Sequence, residues 1–391
     1  MPNRREFLRN VTSAAAGVAF VGGGLVDAAA RALQTAGAAK RREIMVGGRR
    51  VTTVDVHTHG FVDVGDVLKG HEWGTMIKRQ LAQPGCAAVP CFGPKGRGPQ
   101  GINAQRVRLM DQLGVDVQAV SINPFWYTAE LGLARELMRA QNEKLAAACK
   151  AFPGRFVAFA TAALQFPDLA AEQLEHGVKT LGLCGGSVTG NVNGEELSSP
   201  RFDPFWAKAE QLGALIFLHP QQQGRFDGER YPPETNKRLT GSGNLTNAIG
   251  HPLETTIALS HLIFEGTLDK FPGLRICGAH GAGFLPSYIG RSDAGCLQSP
   301  GPQNCKPLKK KPSEYFKDQL ICDSLVFDAE DLRHLVEEFG AGQIVFGTDF
   351  PAGWPTRGVD HVLETAGLSD VQKEAILGGN LVKLLRLTGR T

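Results

Sequence analysis

The chain lacks a hydrophobic run able to span a bilayer. Its weakly apolar stretch from Val11 to Val26 is short and diluted by Ala and Gly, which excludes a stable membrane anchor there. It also lacks a dominant charge: 42 Lys and Arg stand against 39 Asp and Glu, a formal net of +3. That balance excludes a general affinity for nucleic acid or for an anionic membrane surface. No cysteine precedes Cys86, so lipid attachment at a signal-peptide cysteine is excluded as well. No internal repeat or low-complexity tract is visible, which excludes a repeat architecture.

The N-terminus instead carries a targeting pattern. Asn3, Arg4, Arg5, Glu6, Phe7 and Leu8 make a twin-arginine signature, and Ala28, Ala29 and Ala30 supply the small residues that a signal peptidase needs. The expected division is a signal peptide over residues 1–30, a linker over 31–50 and one catalytic fold over 51–391. Twin-arginine export machinery is then a partner, and the mature protein is periplasmic or secreted. Removing residues 1–30 leaves 39 basic and 37 acidic residues, a net of about +2. An oxidising compartment permits disulfides. Cys86 and Cys91 lie in one Gly/Pro-rich insertion, and Cys296 and Cys305, ten residues apart inclusive, are the favoured pair in another. Cys149, Cys184, Cys277 and Cys322 read as buried thiols.

Eight strand-like segments alternate with amphipathic ones: 52–57, 115–122, 156–164, 182–188, 214–219, 274–279, 320–326 and 343–348. Eight strands, each followed by a helical pattern, predict an α/β fold, a (β/α)8 TIM barrel. Long inserts at 60–101, 221–250 and 292–312 each follow a strand, which puts these loop insertions on the C-terminal face, where barrel active sites form.

The chemistry collects at those strand ends. The first strand stops at His57 and His59, whose side chains, two apart, reach one metal ion. The fifth ends on His219-Pro220, the sixth on His280-Gly281 and the eighth on Asp349 before Phe350-Pro351. Three neutral nitrogens and one carboxylate leave a divalent ion with net positive charge and room for water or substrate. No lysine ends the fourth strand, which argues against a carbamylated-lysine two-metal site. His280 is the remaining acid/base candidate. Phe125, Trp126 and Tyr127 follow the second strand, where they either wall a flat substrate or pack the loop. Trp126 is the substrate-contact candidate among them.

The order His-x-His, His-Pro, His-Gly-x-Gly, Gly-Thr-Asp-x-Pro resembles the amidohydrolase superfamily, specifically its aminocarboxymuconate semialdehyde decarboxylase-like branch. Arg106 to Gln118, Asn193 to Leu197, Phe205-Trp206, Pro252 to Thr256, Phe271 to Ile276 and Gly379-Asn380 agree with it. The resemblance spans Val51 to Leu387 and implies a mononuclear site in a distorted barrel. His57, His59, His219 and Asp349 would be its ligands, with His280 beside a metal-bound water. It further implies that Asp349 carries a proton to the carbon losing its carboxylate, and that Arg106 grips a substrate carboxylate. Zinc is the default ion for this donor set, with manganese the alternative. The expected function is a metal-dependent decarboxylase of an unsaturated or aromatic carboxylic acid. The alternatives are a lactone or amide hydrolase of the same superfamily and a non-catalytic protein that kept the metal. The expected partner is a small carboxylate, and a homodimer is compatible with this reading.

Overall fold

Eight parallel strands form one sheet that curls until its first and last members meet. The computed structural model describes residues 41–86, 97–123, 125–220, 233–298, 306–354 and 358–387. The signal peptide lies outside the described residues, and so does Cys305, so the expected Cys296–Cys305 pair is not described. Residues from Arg41 onward make one structural unit.

The strands are β1 (Val54–His59), β2 (Val117–Ser121), β3 (Phe156–Thr161), β4 (Gly185–Val188), β5 (Leu215–Leu218), β6 (Arg275–Gly278), β7 (Leu320–Asp323) and β8 (Ile344–Val345). They pair in chain order. The Val56 amide donates to the Phe346 carbonyl at 2.9 Å and the His59 amide to Phe350 at 2.6 Å, which joins β1 to the chain after β8. This is a distorted TIM barrel, as the strand–helix alternation predicts.

The helices on its outside include α1 (Ala104–Leu113), α2 (Leu131–Ala151), α3 (Pro167–Glu175), α4 (Asp203–Leu212), α5 (His251–Phe264), α6 (Ile289–Gln298), α7 (Ala329–Phe339) and α8 (Gly358–Glu364). Their ends follow local chemistry. The Asn103 side chain caps α1 by accepting from the Arg106 amide, and Gly114, at φ 76°, ends the helix where an L side chain would strain. Glu130 and Asp328 cap α2 and α7 in the same way.

Alternation along the strands builds the interior. Val117 and Ala119, Leu215 and Phe217, Cys277 and Ala279, Ile321, and Val345 form the barrel's inner cluster. Continuing the same parity upward reaches Ser121, Asn123, His219, Asp323, Gly347 and Asp349, so the apolar floor turns polar at the C-terminal ends. On β1 the register shifts between Asp55 and Thr58, and His57 faces inward although Val54 and Val56 also join the inner cluster.

One expected boundary needs correction. Residues 41–50 are not linker: Met45–Val46 and Arg49–Arg50 pair as an antiparallel hairpin. Ile44, Val46 and Val51 are buried against the barrel. Arg41 and Arg50 both reach Asp116, and Arg42 reaches Asp360. Burying three aliphatic side chains offsets the entropy of ordering the segment, a gain its local composition did not reveal.

Candidate metal centre

β1, the residue after β5 and the fourth residue after β8 converge. Ligand atoms of His57, His59, His219 and Asp349 all lie within 4.8 Å of one another. Each imidazole is turned by a partner on its outer nitrogen. His57 Nδ1 lies 2.6 Å from Asp323 Oδ2, His59 Nδ1 2.9 Å from Ser121 Oγ, and His219 Nδ1 2.9 Å from the Pro220 carbonyl. Nδ1 then carries the proton, and each Nε2 presents a lone pair to the centre. All three Nε2 atoms are buried and, among the described residues, have no hydrogen-bond partner. Three buried acceptors left unsatisfied side by side would be costly in a protein that held nothing there, so the donor set fits a divalent cation.

Asp349 completes the set. Its Oδ1 sits 3.2 Å from His59 Nε2 and 3.5 Å from His57 Nε2, while its Oδ2 accepts from Trp354 Nε1 at 2.9 Å. Burial pushes its carboxyl up, but the neighbouring imidazoles outweigh that and hold it well below the usual carboxylate range. Burial lowers His59 and, more strongly, His219. For His57 burial acts downward too, yet Asp323 reverses the balance and the net shift is upward. Gly347 explains how the strands approach so closely. A Cβ there would meet Cβ of both His57 and Asp323 at 2.9 Å.

His280 stands beside this set, its ring centroid 4.9 Å from that of His57 and 5.3 Å from that of His219. Burial, then the nearby imidazoles, pushes it down to about 3, so it is neutral near pH 7. Its Nδ1 is buried and has no partner among the described residues.

A cavity of about 370 Å³ opens over the centre. His59, His219, Asp349 and His251 line it, with Phe61 and Trp354 as its apolar walls. Gln80, Gln100, Asn123, Asn244 and Asn247 contribute amides, and among the described residues Arg97 is its one cationic guanidinium.

Two expected substrate contacts are corrected by this geometry. Arg106 is 0% exposed and does not line the cavity. Its Nε donates to Gln118 Oε1 and its Nη1 to the His59 carbonyl, both at 2.7 Å, and the guanidinium lies 4.6 Å from the Phe350 ring centroid. It therefore braces the strand carrying His59, and Arg97 takes the place at the cavity. Trp126 is also fully buried: its backbone is left-handed at φ 66°, and its ring packs 5.0 Å from Trp73 in the core. Phe125 and Tyr127 are buried with it, so the run packs the loop.

Sequence reasoning also missed Asp323 and Asp55. Asp323 ends β7 as a polar residue closing an apolar run, the same signal that marked His219 and Asp349. Asp55 accepts from the His57 amide and from Thr348, tying β1 to the segment carrying Asp349, and burial raises its carboxyl to about 7.

Known proteins share this fold and sequence pattern. The amidohydrolase family profile matches residues 54–387. The chain is 32% identical over 289 residues to 2-amino-3-carboxymuconate-6-semialdehyde decarboxylase of Dictyostelium discoideum, covering 72% of this chain and 76% of that one. It is 31% identical over 301 residues to gamma-resorcylate decarboxylase of Polaromonas sp., covering 73% and 88%. Among solved structures, 5-carboxyvanillate decarboxylase of Sphingomonas paucimobilis superposes with a TM-score of 0.73 at 23% identity, covering 86% of this chain and 99% of that one. Dihydroxybenzoic acid decarboxylase of Polaromonas sp., with bound manganese and 2-nitroresorcinol, gives 0.70 at 24%, covering 86% and 98%. With its barrel, its His-His-His-Asp metal-binding site and these relatives, the chain belongs to the amidohydrolase family, in the branch of the aminocarboxymuconate semialdehyde decarboxylases.

Proposed function

We propose that the protein is a metal-dependent decarboxylase of an unsaturated or aromatic carboxylic acid. One observation carries this reading: a single cavity joins three residues of the four-ligand site, His59, His219 and Asp349, to the Arg97 guanidinium, with the His280 ring packed 4.9 Å from that of His57 beside them. The similarity to decarboxylases of aromatic and muconate acids supports it. A bound divalent ion supplies a Lewis acid that polarises a substrate oxygen. Zinc is the ion we propose for three nitrogens and one carboxylate, with manganese, held by the Polaromonas relative, as the competitor in a loading titration.

The chain's own groups divide the remaining work. Arg97 binds a carboxylate through a charge-assisted fork. Phe61 and Trp354 present flat apolar surfaces to a planar substrate, and the amides satisfy its polar substituents. In the proposed step Asp349, ionised at rest, first accepts a proton brought by the substrate's own acidic group or by solvent. The carbon–carboxylate bond breaks, carbon dioxide leaves, and the carbon that keeps the electron pair takes that proton, returning Asp349 to its ionised form. His280, held neutral, offers Nδ1 to substrate oxygen. Incubating metal-loaded protein with panels of aromatic and unsaturated acids and of lactones tests the reading. Carbon dioxide release supports it. Turnover of lactones or amides alone assigns the hydrolase reading instead, and metal retention without either product assigns the binding protein.

We also propose twin-arginine export with cleavage near Ala30. The Arg4-Arg5 pattern supports it, and so does the disulfide at Cys86, since such bonds persist in oxidising compartments. Changing both arginines to lysine should leave unprocessed protein in the cytoplasm. Normal processing would refute this route.

A further inference from the structure

Asp323 ends β7 beside the metal centre, fully buried and, among the described residues, without a Lys or Arg partner. Its four hydrogen bonds are split evenly between its two oxygens. Oδ2 accepts from His57 Nδ1 at 2.6 Å and from the His280 amide at 3.0 Å. Oδ1 accepts from the Gly281 amide at 2.8 Å and the Leu325 amide at 3.1 Å. Two of these donors belong to an unusual turn. His280, Gly281 and Ala282 are consecutively left-handed, at φ 56°, 62° and 62°, and two of the three carry a Cβ. L residues leave that region unless something holds them, and the amides of the first two residues are held by Asp323.

We propose that Asp323 is the positioning residue that couples the metal ligand His57 to the acid/base residue His280. Through Oδ2 it keeps the His57 proton on Nδ1 and the lone pair of Nε2 on the metal. Through both oxygens it holds the turn that swings the His280 ring to within 4.9 Å of His57. One carboxylate thus sets metal affinity and the place of the proton-transfer group together. This rests on the metal-centre reading, and its first readout needs no substrate, so it stands or falls apart from the choice of reaction.

The geometry makes Asp323→Asn an unusually clean test. An amide has one acceptor oxygen, and each carboxylate oxygen serves two donors. Whichever way the amide turns, its NH2 faces two N–H groups: His57 with His280, or Gly281 with Leu325. Three measurements follow on the full-length metalloprotein. Chelator competition should give zinc binding about 10–100-fold weaker than in the parent. At saturating metal kcat should still fall, while His280→Ala, which leaves all four ligands, should bind metal as the parent does. In the double variant the loss in kcat should be less than the product of the single losses, because Asp323 acts on rate through His280. In the parent itself, nitrogen-15 NMR of the histidines should place the His57 proton on Nδ1 with strong protection from exchange, a readout that survives if the variant fails to fold. Parent-like metal affinity in Asp323→Asn, fully multiplicative kcat losses, or a His57 proton on Nε2 would each overturn the proposal.

Discussion

Replacing Arg106 by Leu separates bracing from substrate binding. In the structure the guanidinium is 0% exposed, burial lowers it to about 9, and the charge of Asp55 opposes that shift. The substitution removes two hydrogen bonds of 2.7 Å and leaves Gln118 Oε1 and the His59 carbonyl without those donors. A hydrogen bond from a charged donor is worth ~1.5–3 kcal/mol, which puts the gross loss at about 3–6 kcal/mol. Part is returned, because the change also relieves a buried charge whose Nη2 has no partner among the described residues. A net loss of about 2–5 kcal/mol is expected. At roughly 2 °C per kcal/mol for a domain this large, that is a fall in Tm of about 4–10 °C. Arg106→Lys keeps the charge but cannot span both acceptors, and should fall in between. Thermal unfolding of the metal-free variants measures this, with KM for the carboxylate substrate determined on metal-loaded protein in parallel. An unchanged Tm together with a 10–150-fold rise in KM would refute the reasoning and return Arg106 to the substrate.

Arg97→Ala should show the opposite signature, a ~10–150-fold loss in kcat/KM for a carboxylate with normal metal content and Tm; kinetics indistinguishable from the parent would remove Arg97 from the site. His57→Ala and Asp349→Ala should empty the centre by elemental analysis, whereas His280→Ala should keep its metal and lose roughly 10²–10⁴ in rate. Full metal occupancy in the first two would sink the ligand assignment. The pH dependence of metal-free stability also has a sign. His59, His219 and His280 have folded values below the ordinary 6.5, so the unfolded chain takes protons first as pH falls and stability drops below about 6.5. Asp55, raised to about 7, opposes this between 3.8 and 7, but it is one group against three, and His57 is protonated in both states below 6.5. Urea unfolding from pH 6.5 to 5 should therefore show declining stability; a constant or rising value would contradict the three buried neutral imidazoles.

The sequence by itself determined the barrel and the four ligands, because both are written in local pattern. Parallel strands buried on two faces appear as short apolar runs, and a His or Asp that closes such a run has no packing reason to be there. His57, His59, His219, His280 and Asp349 all carried that signal. Asp323 carried it too, but a carboxylate at a strand end does not reveal whether it faces a metal, an imidazole or backbone amides. That depends on which neighbours the barrel brings to it from 42 to 266 residues away. Arg106 and Arg97 show the same limit from the other side. Each is an arginine near the first insert, and only the closed fold decides that one is sealed beneath His59 while the other opens onto the cavity. Trp126 turns inward because its left-handed backbone and Trp73 leave its ring a place in the core, and pairing across 53 residues is invisible along the chain. Ligand identity follows from residue type at strand ends, whereas burial, tautomer and reach follow from long-range packing, which is a property of the assembled barrel.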